Sequence, residues 1–540
     1  VRAGAASARA GIDAAADGDN EGPATYFDTA AAEFGSARRL LSGFWTLPAR
    51  LVPVVGQHAR ASQVLASEGV SLATTAADTA RTIDLDAVRL VDGAIDLDAI
   101  DQLAPVLDRT ERAIERAATR IAEVRDPWLI PFVDERLADL ADRLDGALPA
   151  ARMAHLAAVE GPELLGADAP VRWLVALVTP AEARGLGGLL GSYATVTAAD
   201  GVIEIESIGR NEDVNELLAS IDPVLEGSDD YVSRWGPYRP QEFFQDVTMS
   251  PDLPDVAEVM ASLYEQATGD HVDGVMVADP HVVGAILDLT GPITATGGVV
   301  RRLDSDNAVD YLLRGQYADF ADDEVGRVVL LASIIESTFD ALTSGRLPGP
   351  RGLAAELGPL IDQDRLGAWW AGGGRAAELF AAAGLDGAFP RPDGSDLLAV
   401  VHQNSGQNKI DVFLRRSIRY EIEHLDGRTR ATVTVDLTNT APRTGLPDSV
   451  IGNNDQDLPT GTNAMLLSVY TALDVDGVLV DGVPANVRRE REFGYEVATL
   501  PLTIPAGRTV TLQVEVTGIV ERSDQLIVAQ QPLVDDDRLT

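Results

Sequence analysis

The sequence predicts a multidomain α+β protein in three successive parts. A helical region spans residues 1–165, a central α/β domain with a mixed sheet spans 166–400, and an immunoglobulin-like β-sandwich spans 401–540. Apolar residues recur at helical spacing in the first part, strands alternate with helices in the second, and short period-two segments fill the third. At 540 residues the chain is long enough for about three ordinary domains.

The first part repeats Leu, Ile, Val and Ala every three or four residues in LAPVLDRTERAIERAATRIAEV and FVDERLADLADRLDGALPAARMAHLAAV. Proline interrupts the pattern in WTLPARLVPVVG and RDPWLIP, which predicts helix ends there. We expect a long helical hairpin or a small bundle, and we find no catalytic cluster in it.

The central part predicts a buried strand at RWLVALV and two strands, SYATVTA and GVIEIESIG, joined by a tight Ala-Asp-Gly turn. PDVAEVMASLYEQATG and PHVVGAILDLTG predict helices on either side of the strand VDGVMVAD, and DEVGRVVLLASIIESTFDAL and GLAAELGPLI predict two more. Beyond residue 409, the alternating segments RYEIEHL, ATVTVDLTN, VATLPLTI and TVTLQVEVTG favour a β-sandwich.

The composition limits the possible partners. A net charge of −41 argues against nucleic acid or an anionic membrane surface as a partner of the protein body, so an anionic ligand needs a local cationic site. No cysteine is present, which excludes disulfides and thiolate chemistry. The six histidines lack metal-binding spacing. No long apolar run occurs, and the Ala/Arg-rich start fits a membrane anchor further upstream.

The first candidate site is the loop TPAEARGLGGLLGSY, which follows the strand RWLVALV. Glycines such as Gly187 and Gly188 allow backbone N–H groups to approach an anion closely. Arg184 stands beside them and offers phosphate a bidentate guanidinium. The alternative is an ordinary strand-to-strand turn, which also needs glycine.

The second candidate is SIGRNEDV, where Arg210 and Asn211 leave the end of a strand with two carboxylates. This grouping is common in ligand sites of open α/β sheets. Asp213 fits equally well as a helix N-cap.

The third candidate is RGQYADFADDEVGRVV, which crowds Arg314, Asp319, Asp322, Asp323 and Arg327 into one segment. Its carboxylates predict a magnesium site, because hard oxygen ligands suit Mg²⁺. Alternatively, the adjacent aspartates stabilise a helix N-terminus through the macrodipole.

The only lysine, Lys409, lies in HQNSGQNKIDVFLRR among 42 arginines (43 − 1). Lys409 and Asp411 stand at the start of a predicted strand in which apolar residues alternate from Ile410 to Leu414. Lys409 either pairs with Asp or Glu to fix an interdomain junction, or supplies a compact ammonium that a planar guanidinium cannot replace. In the second case we expect Lys409 and Asp411 to be ligand-binding residues.

Five segments carry a resemblance to a known family: AEARGLGGLLGSYATVT, MSPDLPDVAEVMASLY, VDGVMVADP, TGPI and NKIDVFLRR. They resemble domain-of-unknown-function family 4012, a group of uncharacterised envelope proteins of actinobacteria and relatives. The resemblance covers most of residues 20–520. More distantly, the order from RWLVALV through SIGRNEDV to NAVDYLLRGQYADFADDEVGRVVLLASII resembles LytR-CpsA-Psr proteins over residues 170–345. Those proteins are membrane-anchored extracellular phosphotransferases that move glycopolymers from polyprenyl pyrophosphate onto the cell wall, using arginines and an Asp-bound magnesium ion.

The resemblance implies catalytic roles for Arg184, Arg210 and Arg327, with Arg314 as a further ligand-binding candidate. The sequence departs from the family pattern, because Arg-Ser-Asp becomes Arg-Gly-Leu and Arg-Asp becomes Arg-Asn. The second arginine of the late helix falls on a leucine. These losses weaken both metal and pyrophosphate binding.

We therefore expect an extracytoplasmic, membrane-anchored envelope protein that binds or transfers a polyprenyl-pyrophosphate-linked glycan or cell-wall polysaccharide. Mg²⁺ would be held by the aspartates of the third candidate, and the apolar interior of the α/β domain would accommodate the polyprenyl chain. The alternatives are a non-catalytic cell-surface scaffold or glycan-binding protein, and a carbohydrate-active enzyme that uses paired carboxylates.

Overall fold

The computed structural model describes residues 1–16, 22–42, 53–84, 87–125, 129–321, 323–345, 347–425, 427–452 and 457–540. The chain forms two compact units. The first contains residues 1–89 and 95–168, and the second contains residues 90–94 and 169–540.

The first unit is helical, which confirms the predicted N-terminal helical region. Its helices are α1 (Arg2–Ala16), α2 (Gly22–Leu41), α3 (Pro53–Thr82), α4 (Leu97–Val124) and α5 (Pro131–Leu164). Helix α4 begins at an N-cap, Asp96, whose carboxylate accepts the N–H of Ala99 at 3.1 Å. Ala61, Ile121 and Leu137 join α3, α4 and α5 in one apolar core. None of the helices among the described residues is long and apolar enough to cross a membrane.

The second unit begins with a mixed five-stranded sheet, as the sequence predicts, ordered β3-β2-β1-β4-β7. Strands β1 and β4 are parallel, and the other neighbours are antiparallel. The strands are β1 (Val171–Thr179), β2 (Leu189–Ala199), β3 (Val202–Arg210), β4 (Gly274–Ala278), β5 (Ile293–Gly297), β6 (Val299–Leu303) and β7 (Leu366–Trp370). Strands β5 and β6 form a separate hairpin.

The helices around this sheet are α6 (Asn211–Leu218), α7 (Asp229–Trp235), α8 (Leu253–Thr268), α9 (Pro280–Thr290), α10 (Ala308–Asp310), α11 (Gln316–Asp319), α12 (Glu324–Thr343), α13 (Pro350–Ile361) and α14 (Gly374–Ala382). They cover both faces of the sheet. Alternate residues of β1 point to opposite faces, and residues of both kinds pack against helices. Leu174 packs with Met260 of α8, whereas Leu177 packs with Val282 of α9.

Two further sheets follow, ordered β13-β12-β16-β10-β9-β18 and β14-β15-β11-β8-β17. Their strands are β8 (Ser395–Asn404), β9 (Leu414–Leu425), β10 (Arg428–Asn439), β11 (Asn463–Thr471), β12 (Asp474–Val480), β13 (Val483–Pro484), β14 (Arg488–Glu492), β15 (Tyr495–Ile504), β16 (Thr509–Gly518), β17 (Arg522–Ala529) and β18 (Arg538–Leu539). A short helix, α15 (Asp448–Ile451), precedes β11. Val433 and Leu512 of one sheet share an apolar core with Leu467 and Leu500 of the other.

The prediction of a strand running from Lys409 is wrong at its start. Residues Ile410–Phe413 form a 3₁₀-helix, and β9 begins only at Leu414. The tighter turn buries Ile410, Asp411 and Val412 together, whereas a strand would direct consecutive side chains to opposite faces.

The loop between β1 and β2 is packed tightly against its own chain. A Cβ atom on Gly188 would overlap the backbone of Thr179, and one on Gly185 would overlap the backbone of Met249. Gly187 has a φ of +91° and lies against Pro532. In this conformation protein atoms occupy the space beside these glycines, as a structural turn requires.

We predict that Gly188→Ala destabilises the protein by roughly 1–3 kcal/mol or more, because the new methyl group meets backbone that cannot move aside. Gly191→Ala is the matched control, since its Cβ would lie 3.9 Å from the nearest atom, the carbonyl oxygen of Leu177, and we expect a change within about 1 kcal/mol. Denaturant titration of both variants measures the difference. Equal stabilities would contradict the tight packing of this loop.

Candidate functional site

Two cations, the buried Arg184 and the partly buried Lys409, share the carboxylate of Glu182. Arg184 Nη2 donates to Glu182 Oε1 at 3.2 Å, and Lys409 Nζ donates to Glu182 Oε2. Arg184 Nε also donates to Asp246 Oδ1 at 2.7 Å. Because Arg184 is 6% exposed and Glu182 is 4% exposed, these charges compensate one another inside the protein.

The proximity of these charges governs their protonation. Burial would raise the pKa of Glu182, but the positive charges of Lys409 and Arg184 outweigh it and hold that pKa below its ordinary value. Burial would likewise lower the pKa of Lys409, but Glu182 raises it above its ordinary value. Both members of the pair are therefore charged at neutral pH.

Arg184, a predicted catalytic residue, is held by protein acceptors at each side-chain nitrogen. Besides the two carboxylates, Nη1 donates to the carbonyl oxygens of Ala183 at 2.9 Å and Asn404 at 3.2 Å. Asn404 ends strand β8, so Arg184 clamps the β1–β2 loop to that strand. In this conformation Arg184 stabilises the junction between the mixed sheet and the two later sheets.

Asp411, a predicted ligand-binding residue, strengthens the same junction. Asp411 Oδ2 accepts the backbone N–H of Ala183 and the amide of Asn404, both at 2.9 Å. Its Oδ1 accepts the amide of Asn463 at 2.8 Å. Burial would raise the pKa of Asp411, but His402 and the hydrogen bonds it accepts outweigh burial and lower that pKa. Asp411 is therefore a buried carboxylate already occupied by protein donors.

An aromatic ring connects Lys409 with a more exposed group of arginines. Lys409 Nζ lies 5.9 Å from the centre of the Tyr317 ring, and Arg327 Cζ lies 5.5 Å from the same centre. Tyr317 belongs to α11, directly after a π-helical turn at Tyr311–Gly315. Such turns recur at functional sites.

Two of the predicted catalytic arginines converge on a single carboxylate oxygen. Glu324 Oε1 lies 3.4 Å from Arg210 Nη2 and 3.3 Å from Arg327 Nη2. Arg210 closes strand β3, and Arg327 lies in the second turn of α12. A second carboxylate, that of Glu212, lies 2.8 Å from Arg210 Nη2. This cluster of Arg210, Arg327 and Glu324 is hereafter called the arginine pair site.

The arginine pair site is accessible from solvent. The side chains of Arg210 and Arg327 are 29% and 21% exposed, and that of Glu324 is 69% exposed. An exposed carboxylate gains little from its ion pairs, so Glu324 can rotate away at low cost. Glu212 is also partly exposed, at 49%, and once both glutamates turn aside the two guanidinium groups would face an anion together.

Two of the three predicted magnesium ligands, Asp319 and Asp323, accept hydrogen bonds from protein donors. Asp319 accepts two hydrogen bonds from Arg301, at 2.8 and 2.6 Å, and one from the Tyr311 hydroxyl at 2.9 Å. Asp323 caps α12 by accepting the N–H of Gly326 at 2.9 Å. Asp322 lies outside the described residues. Within the ranges that the structure describes, no three His, Asp or Glu side chains are grouped so as to hold a metal.

The remaining candidates also lie apart from the arginine pair site or inside the protein. Arg314 is exposed and forms an ion pair with Asp310 one helical turn away. Asn211 is the buried first residue of α6. Asp213 does not take the N-cap position; its carboxylate instead accepts the backbone N–H of Arg210 at 2.7 Å from the third helical position.

The interior of the central sheet is filled by its own side chains. A cavity beside Leu186, Phe389 and Pro532 has room for only a few water molecules. A second, smaller one lies beside His402 and Arg416. A polyprenyl chain does not fit either cavity in this conformation.

Several residues of the site were not apparent from the sequence. Glu324 and Arg327 are three residues apart on α12, a spacing that brings side chains together on a helix, and this signal could have been used. The pairing of Glu182 with Lys409 joins residues 227 positions apart, and no local pattern indicates it. The same holds for Tyr317.

Comparison with known proteins supports one of the two resemblances. Residues 168–317 match the model of a protein family of unknown function, DUF4012, which confirms that resemblance for this segment. The matched segment contains Arg184 and Arg210 and ends at Tyr317, before Arg327 and Lys409. No curated protein matches the chain.

Two solved structures show weak likenesses. A candidate nutrient-binding protein of Legionella pneumophila is 9% identical, with a TM-score of 0.16 over 23% of this chain and 43% of its own length. The Lin1025 protein of Listeria innocua is 13% identical, with a TM-score of 0.21 over 44% of this chain and 84% of its own. The chain thus spans less than half the length of the first. Neither likeness supports an inference about fold or function.

We predict that Lys409→Met destabilises the protein by about 3–5 kcal/mol, because it leaves the buried carboxylate of Glu182 partly uncompensated. The matched control is Arg415→Met, which removes an ion pair between the half-exposed side chains of Arg415 and Asp535 and should cost less than about 1 kcal/mol. Combining Lys409→Met with Glu182→Gln should recover part of the loss. Denaturant titration tests this order, and equal losses for both single variants would contradict it.

The lowered pKa of Glu182 also predicts a pH dependence. Its contribution to stability is present above the ordinary value of 4.5 and is lost as the pH falls through the lower pKa of the folded state. Glu182→Gln lacks this titration, so its unfolding free energy should fall less steeply on acidification than that of the unmodified protein. Denaturant titrations between about pH 6 and 3 measure the two slopes. Parallel slopes would show that the carboxylate titrates normally.

Proposed function

We propose that this chain is an extracytoplasmic cell-envelope protein that binds a polyprenyl-pyrophosphate-linked glycan, with the pyrophosphate held at the arginine pair site. The observation that carries the proposal is the position of Glu324 Oε1, within 3.4 Å of Arg210 and 3.3 Å of Arg327. A phosphate oxygen at the same position would meet both guanidinium groups. Arginine suits phosphate because its planar fork offers paired N–H donors.

The strongly negative net charge of the protein makes the convergence of Arg210 and Arg327 significant for anion binding. In a protein with a net charge of −41, an anion is repelled unless several cations meet locally. Arg210 and Arg327 come from a strand end and a helix that are separated by more than a hundred residues, yet their side chains share one carboxylate. That carboxylate, on the exposed Glu324, would be displaced by the ligand.

We assign the central domain to the LytR-CpsA-Psr type and the two later sheets to an immunoglobulin-like β-sandwich. The mixed sheet covered by helices on both faces supports the first assignment, and the shared core of the two sheets supports the second. The polyprenyl chain would remain outside the filled interior, near the membrane of the cell envelope.

Binding without transfer is favoured over catalysis by the state of the other predicted residues. Arg184 and Asp411 are buried and engaged by protein partners, and the predicted magnesium ligands Asp319 and Asp323 are occupied elsewhere. The second candidate function is accordingly a cell-surface scaffold whose buried polar junction serves stability alone.

We predict that inorganic pyrophosphate binds the protein and that Arg210→Ala or Arg327→Ala weakens this binding by about 1.5–3 kcal/mol each, the usual cost of losing a charged contact. Glu324→Ala should strengthen it, because the competing carboxylate is removed. Arg314→Ala is the control, since Arg314 is an exposed arginine whose ion-pair partner is Asp310, and it should leave the affinity unchanged.

Isothermal titration calorimetry with and without Mg²⁺ measures these affinities. A parallel titration with farnesyl pyrophosphate shows whether an isoprenoid chain adds to the affinity of the headgroup. Failure of pyrophosphate to bind in either condition would overturn the proposal and leave the scaffold function.

A further inference from the structure

We infer that Lys409 is a positioning residue, which fixes Arg327 for anion binding through the ring of Tyr317. The inference deepens the proposed function and rests on it, because it concerns the geometry of the arginine pair site. It also gives the chain's only lysine a role at a distance from the anion itself.

Hydrogen bonds hold both the backbone and the side-chain ammonium group of Lys409. Its backbone N–H donates to the carbonyl oxygen of Ser449 at 3.1 Å, and its Nζ donates to Glu182. The side chain is only 16% exposed. The ammonium group therefore has one position, and from it the ammonium lies 5.9 Å from the centre of the Tyr317 ring.

Tyr317 is equally constrained. It is 7% exposed and packs in an apolar cluster with Ile410, Val450 and Ile451. Ile410 directly follows Lys409, so the backbone that places the lysine also forms a wall beside the ring. A ring held in this way presents a fixed negative face to cations nearby.

Arg327, which belongs to α12, lies beside the same Tyr317 ring. Its Cζ lies 5.5 Å from the ring centre, and its Nη2 lies 3.3 Å from Glu324 Oε1. If an anion displaces Glu324, Tyr317 remains as the neighbour that orients the guanidinium. Loss of Lys409 would remove the ammonium group that lies beside the Tyr317 ring and would allow the ring to move. The guanidinium of Arg327 would then be held less firmly, even though Lys409 does not contact the anion.

A double-mutant cycle tests this indirect route. Pyrophosphate affinity is measured by calorimetry for the unmodified protein, Lys409→Met, Arg327→Ala and the double variant. We expect Lys409→Met to weaken binding about fivefold in the unmodified background and not at all in the Arg327→Ala background. An equal loss in both backgrounds would mean that Lys409 acts by its own charge, and no loss in either would mean that it does not act; both outcomes overturn the inference.

A second pair of variants keeps the test valid if Lys409→Met folds poorly. Tyr317→Phe retains the ring and should retain the pyrophosphate affinity, whereas Tyr317→Leu removes the ring and should weaken binding as much as Lys409→Met. Arg415→Met is the matched charge control, because Arg415 pairs with Asp535, and it should bind like the unmodified protein. Equal affinities for Tyr317→Phe and Tyr317→Leu would overturn the role of the ring.

An arginine-selective NMR measurement separates this inference from the proposed function. The Nε–Hε signal of Arg327, assigned with Arg327→Ala, is compared between the unmodified protein, Lys409→Met and Arg415→Met without any anion. A shifted or broadened signal in Lys409→Met alone supports the inference even if pyrophosphate does not bind. An unchanged signal overturns it even if pyrophosphate binds tightly.

Discussion

The structure of the second unit depends on one buried carboxylate, that of Glu182, which must be compensated by charge. Arg184 supplies that charge from two residues away in the sequence and Lys409 from 227 residues away, and the loss of either leaves the buried carboxylate less well compensated. The geometry therefore requires the β1–β2 loop and the segment after β8 to meet. Gly185 and Gly188 permit this approach, because a side chain at either position would collide with neighbouring backbone.

From this pair, a chain of charged side chains that includes one aromatic ring leads toward solvent. Glu182 binds Lys409, Lys409 and Arg327 both face Tyr317, and Arg327 shares Glu324 with Arg210. The inner members are buried and mutually satisfied, so they contribute stability. The outer members are partly exposed and are held by a carboxylate that can move. A strongly acidic protein can offer an anion site only where arginines converge in this manner.

The sequence predicted the secondary structure of the central region well, because strands such as RWLVALV and helices such as PHVVGAILDLTG carry strong periodicity. It also singled out Arg210 from its position at a strand end, Arg327 from the family resemblance and Lys409 as the only lysine of the chain. Two other patterns each have two physical causes, and the sequence alone does not choose between them. The glycines of the β1–β2 loop fit both a phosphate cradle and a tight turn, and the aspartates before α12 fit both a metal site and a helix cap.

Other features require contacts that no local pattern encodes. The strand predicted from Lys409 is a 3₁₀-turn because Asp411 is drawn inward by the N–H of Ala183 and the amides of Asn404 and Asn463. Those partners come from three separate segments. Likewise, Tyr317 gains its role only when α11 packs beside the loop that carries Lys409.

The most direct test is a crystal structure of the protein soaked with pyrophosphate. We predict phosphate density between the guanidinium groups of Arg210 and Arg327, with an oxygen near the present position of Glu324 Oε1 and the glutamate side chain turned toward solvent. Pyrophosphate bound at another place, or an arginine pair site that keeps Glu324 in a fully soaked crystal, would contradict it.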